Sequence, residues 1–106
     1  MRLRLALTVA LFVLAPLAGC GPIQSTGALI DADVEIEGAR AAGAATASPF
    51  EFHSAESYLH KARELAGHAQ YDASTTYASR ARELAKEAHK KAAAATQRSQ
   101  DAEAAP

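Results

Sequence analysis

The chain of 106 residues has one cysteine, one methionine and no tryptophan. A single cysteine leaves no intramolecular disulfide and no Cys-rich zinc site. The net charge is −1, so the basic excess of a nucleic-acid binder is missing. No apolar run reaches the ~20 residues that a membrane-spanning helix needs. Ser-His-Asp spacing, a Gly-rich phosphate loop and a catalytic cysteine are all missing, so the chain is not expected to be an enzyme and no cofactor is expected. What is abundant is alanine, at 28 residues. It inflates the hydrophobic fraction of 49% without supplying large side chains. The length allows one small domain.

The first twenty residues have the layout of an address. Met1-Arg-Leu-Arg4 opens with positive charge, and Leu5 to Ala15 is apolar apart from Thr8. Leu17, Ala18, Gly19 and Cys20 follow. A basic start, a short apolar run and small residues before a cleavage point make a secretory signal. Leu-Ala-Gly-Cys also resembles the lipobox of bacterial lipoproteins. That resemblance implies a diacylglyceryl group on the Cys20 thiol, cleavage before Cys20 and acylation of the new amino group. Lipidation also accounts for one odd cysteine in an exported chain. Two or more acyl chains hold firmly to a bilayer, each buried methylene adding ~0.8 kcal/mol. Residues 1–19 then form a signal peptide, and Cys20 starts a mature chain of 87 residues with 9 basic and 12 acidic side chains. In Gram-negative lipoproteins an Asp after the cysteine marks inner-membrane retention. Here Gly21 and Pro22 follow, which implies a lipid anchor in the outer membrane, facing the periplasm.

The mature chain predicts an all-α fold, a small Ala-rich bundle of three helices in which a helical hairpin follows an N-terminal helix. Residues 20–27 (CGPIQSTG) have no period and read as a tether. Asp31 to Glu37 alternates acidic and apolar residues, the period of a strand. Leu29, Ala32, Ile36, Ala39 and Gly43 instead recur at steps of three and four, a helical seam. The longer pattern places a first helix over 28–47. Ser48, Pro49 and Glu51 then predict a helix start, with Ser48 as cap, Pro49 in the first turn and Glu51 completing a capping box. The second helix covers 49–66 with the seam Phe52, Ala55, Leu59, Ala62 and Ala66. Gly67 is its expected stop. The third covers 70–95 with the seam Tyr71, Ser74, Ala78, Ala81, Ala85, Ala88, Ala92 and Ala95. Tyr58 and Leu65 flank one seam as Tyr77 and Leu84 flank the other, so these pairs are expected in one interface. The tail from Thr96 carries nothing apolar larger than alanine and is expected to fray or be disordered.

Pro49, Glu51, Ala55, Tyr58, Leu59, Lys61 and Ala62, followed by Tyr71, Tyr77 and Ala81, carry a second likeness. The block resembles an uncharacterised domain-of-unknown-function family of short Ala-rich bacterial envelope lipoproteins. The likeness spans about residues 28–92. It implies a location and a helical fold, and it implies no biochemical activity, because that family has none established.

Two patterns are candidates for chemistry. His53, Glu56, His60 and Glu64 form a stripe on the second helix. Imidazole and carboxylate ligands suit zinc, but tight two-His sites on a helix use i, i+4 spacing. His53 and His60 lie ~10.5 Å apart along the axis, so a solvated polar face is the favoured reading and no metal site is expected. His68 in the turn and His89 on the third helix read as solvated, or as favourable near helix ends. Arg80, Arg82, Lys86, Lys90 and Lys91 make the third helix locally basic, against the acidic Asp31–Glu37. Either this face meets a polyanion, or it pairs within the fold. Interleaved Glu83 and Glu87 favour pairing.

The expected function is therefore an anchored, non-enzymatic adaptor. The lipid on Cys20 would hold it to the membrane. A face made of Tyr58, Leu65, Tyr71, Tyr77 and Leu84 would dock another envelope protein or a second copy. A self-associating spacer between outer membrane and cell wall is the alternative, and a small metal- or ligand-binding module the third.

Overall fold

The computed structural model describes residues 1–14 and 20–105. All regular structure among them is helical. The elements are α1 (Arg2–Leu14), α2 (Cys20–Ala41), α3 (Ala44–Ala47), α4 (Pro49–Gly67) and α5 (Tyr71–Ala104). The described chain is elongated, 89 × 23 × 14 Å along its principal axes. No described helix is long and apolar enough to cross a membrane.

Helix α2 begins at Cys20, so the expected tether of residues 20–27 is helical instead. Two effects override its poor composition. Pro22 sits in the first turn, where its missing N–H breaks no intrahelical bond. Tertiary packing then holds the segment: Ser25 is buried, and a Cβ on Gly21 would stand 3.5 Å from the Tyr71 side chain. The inner seam follows the expected steps, with Ala32, Ile36 and Ala39 buried and Leu29 packed against them. Gly43 leaves that seam. It is exposed, adopts φ +82° and ends α2, so the helix expected over 28–47 is broken into α2 and the single turn α3. An L-residue avoids this left-handed conformation and glycine does not. Ala44 turns back into the core instead.

Ser48 and Pro49 start α4 as expected, but the cap is different. The Ser48 hydroxyl accepts no backbone N–H. It donates to Glu51 Oε2 at 2.5 Å, a charge-assisted bond that satisfies a nearly buried hydroxyl. At the other end, Gly67 is still helical, and the left-handed residue is Ala69, at φ 57°. The Ala69 N–H donates to the Ala66 carbonyl at 3.0 Å and the Gln70 N–H to the Leu65 carbonyl at 2.9 Å. These two bonds form a Schellman motif. The stop therefore falls two residues after the expected glycine.

Helix α5 carries the third seam as read: Ser74, Ala78, Ala81, Ala85, Ala88 and Ala92 are buried, and Tyr71 and Ala95 are half-buried. It does not stop at residue 95. It runs on to Ala104 as an exposed helix, so the tail expected to be disordered is helical. Four consecutive alanines, residues 92–95, lead into this extension, and alanine has the best helix propensity. Gln97 Nε2 adds an i, i+4 bond to Asp101 Oδ1 at 3.2 Å.

Cross-helix pairs set the directions. Ser25 meets Ser74, and Glu35 meets Arg82, so α2 and α5 run parallel. Asp33 meets Arg63, and Arg40 meets Glu56, so α4 runs against α2. The result is a helical bundle whose core, among the described residues, has ten alanines in fourteen buried hydrophobics; only Ile36, Phe52, Leu59 and Leu84 of these are larger. At the Cys20 end, the Ser25 hydroxyl donates to Ser74 Oγ at 2.8 Å, and Ser74 Oγ donates to the Ala62 carbonyl at 2.8 Å. This buried relay ties α2, α5 and α4 together. Among the described residues no buried side-chain polar atom lacks a partner.

Two substitutions check this account. Ala69→Gly relieves a left-handed alanine that costs about 1 kcal/mol. It should raise the melting temperature by roughly 4–8 °C per kcal/mol in a domain of this size, read by circular dichroism. Ala81→Leu forces a larger side chain between close helices and should destabilise by about 1–3 kcal/mol in urea unfolding.

Candidate functional site

Cys20 is exposed and is the first residue of α2. The lipobox residues Leu17, Ala18 and Gly19 lie outside the described residues. Helix α1 holds Arg2 and Arg4 with an apolar run of exposed Leu3, Leu5, Leu7 and Val9.

The five residues expected to form one docking face are not together. Tyr58 and Tyr77 do meet, with ring centroids 5.6 Å apart and planes tilted by 41°. With Ser57 and Lys61 they line a shallow groove of about 250 Å³ between α4 and α5. The pairing is antiparallel, so Leu65 lies seven residues towards the turn and Leu84 seven residues away from it. That separates the two leucines by ~21 Å along the axis. Leu84 is 5% exposed and belongs to the core, so it is not presented to a partner. Leu65 and Tyr71 are half-buried near the hairpin turn. The equal spacing of seven in the sequence was a sound sign of two matching faces. It could not show that antiparallel helices pair such faces in opposite order.

The carboxylates of the histidine stripe are taken up by neighbouring side chains. His53 Nδ1 lies 3.0 Å from Glu56 Oε2, and Arg40 Nη2 donates to Glu56 Oε1 at 2.8 Å. Glu64 accepts from Lys61 Nζ at 3.0 Å. Both carboxylates are thus turned to cations. Burial raises the Glu56 pKa, but hydrogen bonds from His53 and Arg40 outweigh it and leave the carboxyl below its usual range. The Lys61 hydrogen bond lowers Glu64 likewise. Glu37 and Glu56 together raise the Arg40 guanidinium, which also stands 5.4 Å over the Phe52 ring. No group of three or more His, Cys, Asp or Glu side chains among the described residues could hold a metal ion.

The basic residues of α5 also pair largely within the fold. Arg80 reaches Glu83 at 3.2 Å, Arg82 stands 4.0 Å from Glu35, and Lys91 binds both Glu51 and Glu87. Lys86 and Lys90 are exposed. The pair missed by sequence reasoning is Glu51–Lys91, forty residues apart. It clamps the start of α4 to the outer part of α5. The Glu51 side chain is only 14% exposed. Hydrogen bonds from Lys91 and then Ser48 lower its pKa from 4.5 to about 2. Lys91 is raised in turn, chiefly by Glu51.

No family model matches the chain, and the comparisons with curated proteins and with solved structures found no match.

A carboxyl with a depressed pKa stabilises the fold when ionised. The contribution of Glu51 is complete above pH 4.5 and is lost as the pH falls towards 2. Urea unfolding over this window should show falling stability. Glu51→Gln should flatten that fall and lower stability at neutral pH; an unchanged pH profile would show that the clamp contributes nothing.

Proposed function

We propose that the chain is a lipid-anchored, non-enzymatic envelope protein in which residues 1–19 are a cleaved signal. The mature part is then a three-helix bundle of α2, α4 and α5 at the periplasmic side of the outer membrane. The observation that carries the reading is the order of features at Cys20. A basic start and a short apolar run precede Leu17-Ala18-Gly19-Cys20, and the cysteine stands exposed where the packed helices begin. A thiol in that position is accessible to an acyl-transferring enzyme.

Its role in this reading is that of an adaptor. The core among the described residues is dominated by alanine, and in this reading recognition falls to the outer faces. The Tyr58–Tyr77 groove is the first candidate, because aromatic side chains with polar tips suit protein interfaces. The spacer reading has one observation in its favour, the exposed extension of α5 beyond Ala95.

Intact mass of the purified protein should show acylation at Cys20. Cys20→Ser should move the protein from the membrane to the soluble fraction. In-cell cross-linking should capture one dominant envelope protein, and Tyr58→Ala with Tyr77→Ala should lose that capture while keeping Cys20 acylated. Capture of only a second copy or of cell-wall material would replace the adaptor by the spacer.

A further inference from the structure

Helix α2 has two apolar faces. Its inner seam, Ser25, Leu29, Ala32, Ile36 and Ala39, packs into the bundle. Directly opposite, Ile23, Gly27, Ile30 and Val34 recur at steps of four, three and four. Ile23 is 76%, Ile30 58% and Val34 64% exposed, and nothing lies near Gly27. An amphipathic helix with one partner needs only one such stripe. Cys20 precedes Ile23 by three residues, so it continues the same spacing at the edge of the outer stripe.

We propose that this outer face of α2 lies on the lipid surface, so that the bundle rests along the bilayer instead of standing away from it. The proposal rests on the reading of Cys20 as the lipid anchor. Three features select lipid as the occupant. Acyl chains on Cys20 would leave α2 on the side of the stripe. The eleven residues from Cys20 to Ile30 contain no charged side chain, which suits the headgroup boundary. Of the four acids that follow, Asp33 is drawn to Arg63, Glu35 to Arg82 and Glu37 to Arg40, and Asp31 alone stands exposed with no ion pair among the described residues. A basic partner helix would therefore find little free acid beside the stripe. A second copy would find too short a seam, because a stable coiled coil sustains its pattern over about three heptads or more. The anchor supplies residence at the membrane, and the stripe sets orientation.

The two orientations differ at Val34, which lies ~21 Å along α2 from Cys20. If the bundle stood upright, Val34 would be in water. Acylation blocks the Cys20 thiol, so Val34→Cys provides a single reactive thiol in the full acylated protein. A fluorophore there is compared with one at Ser79→Cys on the exposed side of α5, both in phosphatidylcholine vesicles. The Val34 label should be several-fold less quenched by aqueous iodide and several-fold more quenched by a quencher on the lipid chains. Ile23→Asp with Ile30→Asp should abolish this shielding without loss of helicity, since both side chains face solvent. Equal quenching at the two positions in protein of verified acylated mass overturns the proposal and leaves the anchor intact. An unacylated Cys20 overturns both. Shielding of the Val34 label in vesicle-free Cys20→Ser protein would give the face to a second copy and overturn the assignment to lipid.

Discussion

The contact between alanine seams is the constraint from which the rest of the architecture follows. A seam of Ala78, Ala81, Ala85, Ala88 and Ala92 lets α5 meet α2 and α4 almost backbone to backbone. Such contacts gain dispersion energy and shed water, but each buries little apolar area. The interior is consequently thin, and every other interaction must fit around it. The Ser25–Ser74–Ala62 relay fits because a hydroxyl is scarcely larger than a methyl group. It also satisfies each polar atom that it buries, which keeps its cost low. A larger residue at Ser74 would separate α4 from α5 at the point where the hairpin closes.

With so thin a core, the rims carry much of the specificity. Ion pairs link α2 to α4 through Asp33–Arg63 and Arg40–Glu56, and α4 to α5 through Glu51–Lys91. Exposed pairs contribute little each. Their value here is orientation, because each fixes a position on one helix against a position on its neighbour and so discriminates against shifted registers. Glu51 is the exception in strength. It is enclosed by Ser48 and Lys91, and it holds the start of α4 where the chain has just crossed from α2 through a single helical turn.

The seams were legible in the sequence because steps of three and four depend only on helix geometry. Phe52, Ala55, Leu59 and Ala62 are buried as that spacing requires, and so is the series from Ser74 to Ala92. The ends of the helices were less legible. Residues 20–27 read as a tether because Gly, Pro, Ser and Thr favour turns, yet burial of Ser25 against a residue forty-nine positions later decides the matter. Gly67 read as a stop by local preference, while the observed left-handed residue is Ala69. The docking face was only half legible. Tyr58 and Tyr77 meet, but chain direction, which no local pattern encodes, sends Leu84 into the core. The alternation of acidic and apolar residues over Asp31–Glu37 has the period of a strand but does not mark one. It is the trace of a helix with Ala32 and Ile36 inward and Val34 outward.

That second face bears on what the protein can do. An alanine-dominated interior turns attention to the surface, where two regions differ in kind. One is the aliphatic stripe of α2, without polar tips and in line with Cys20. The other is the groove between α4 and α5, where Tyr58 and Tyr77 combine rings with hydroxyls. Lipid suits the first, since acyl chains offer no hydrogen bonds. A protein suits the second, since its backbone and side chains do. On the proposed reading α2 would be the side turned to the membrane, and the hairpin of α4 and α5 the side turned to a partner. The parallel arrangement of α2 and α5 would then lay the extended end of α5 along the membrane plane. The helix would project sideways over neighbouring anchored proteins, a geometry that fits an adaptor better than a spacer reaching for the cell wall.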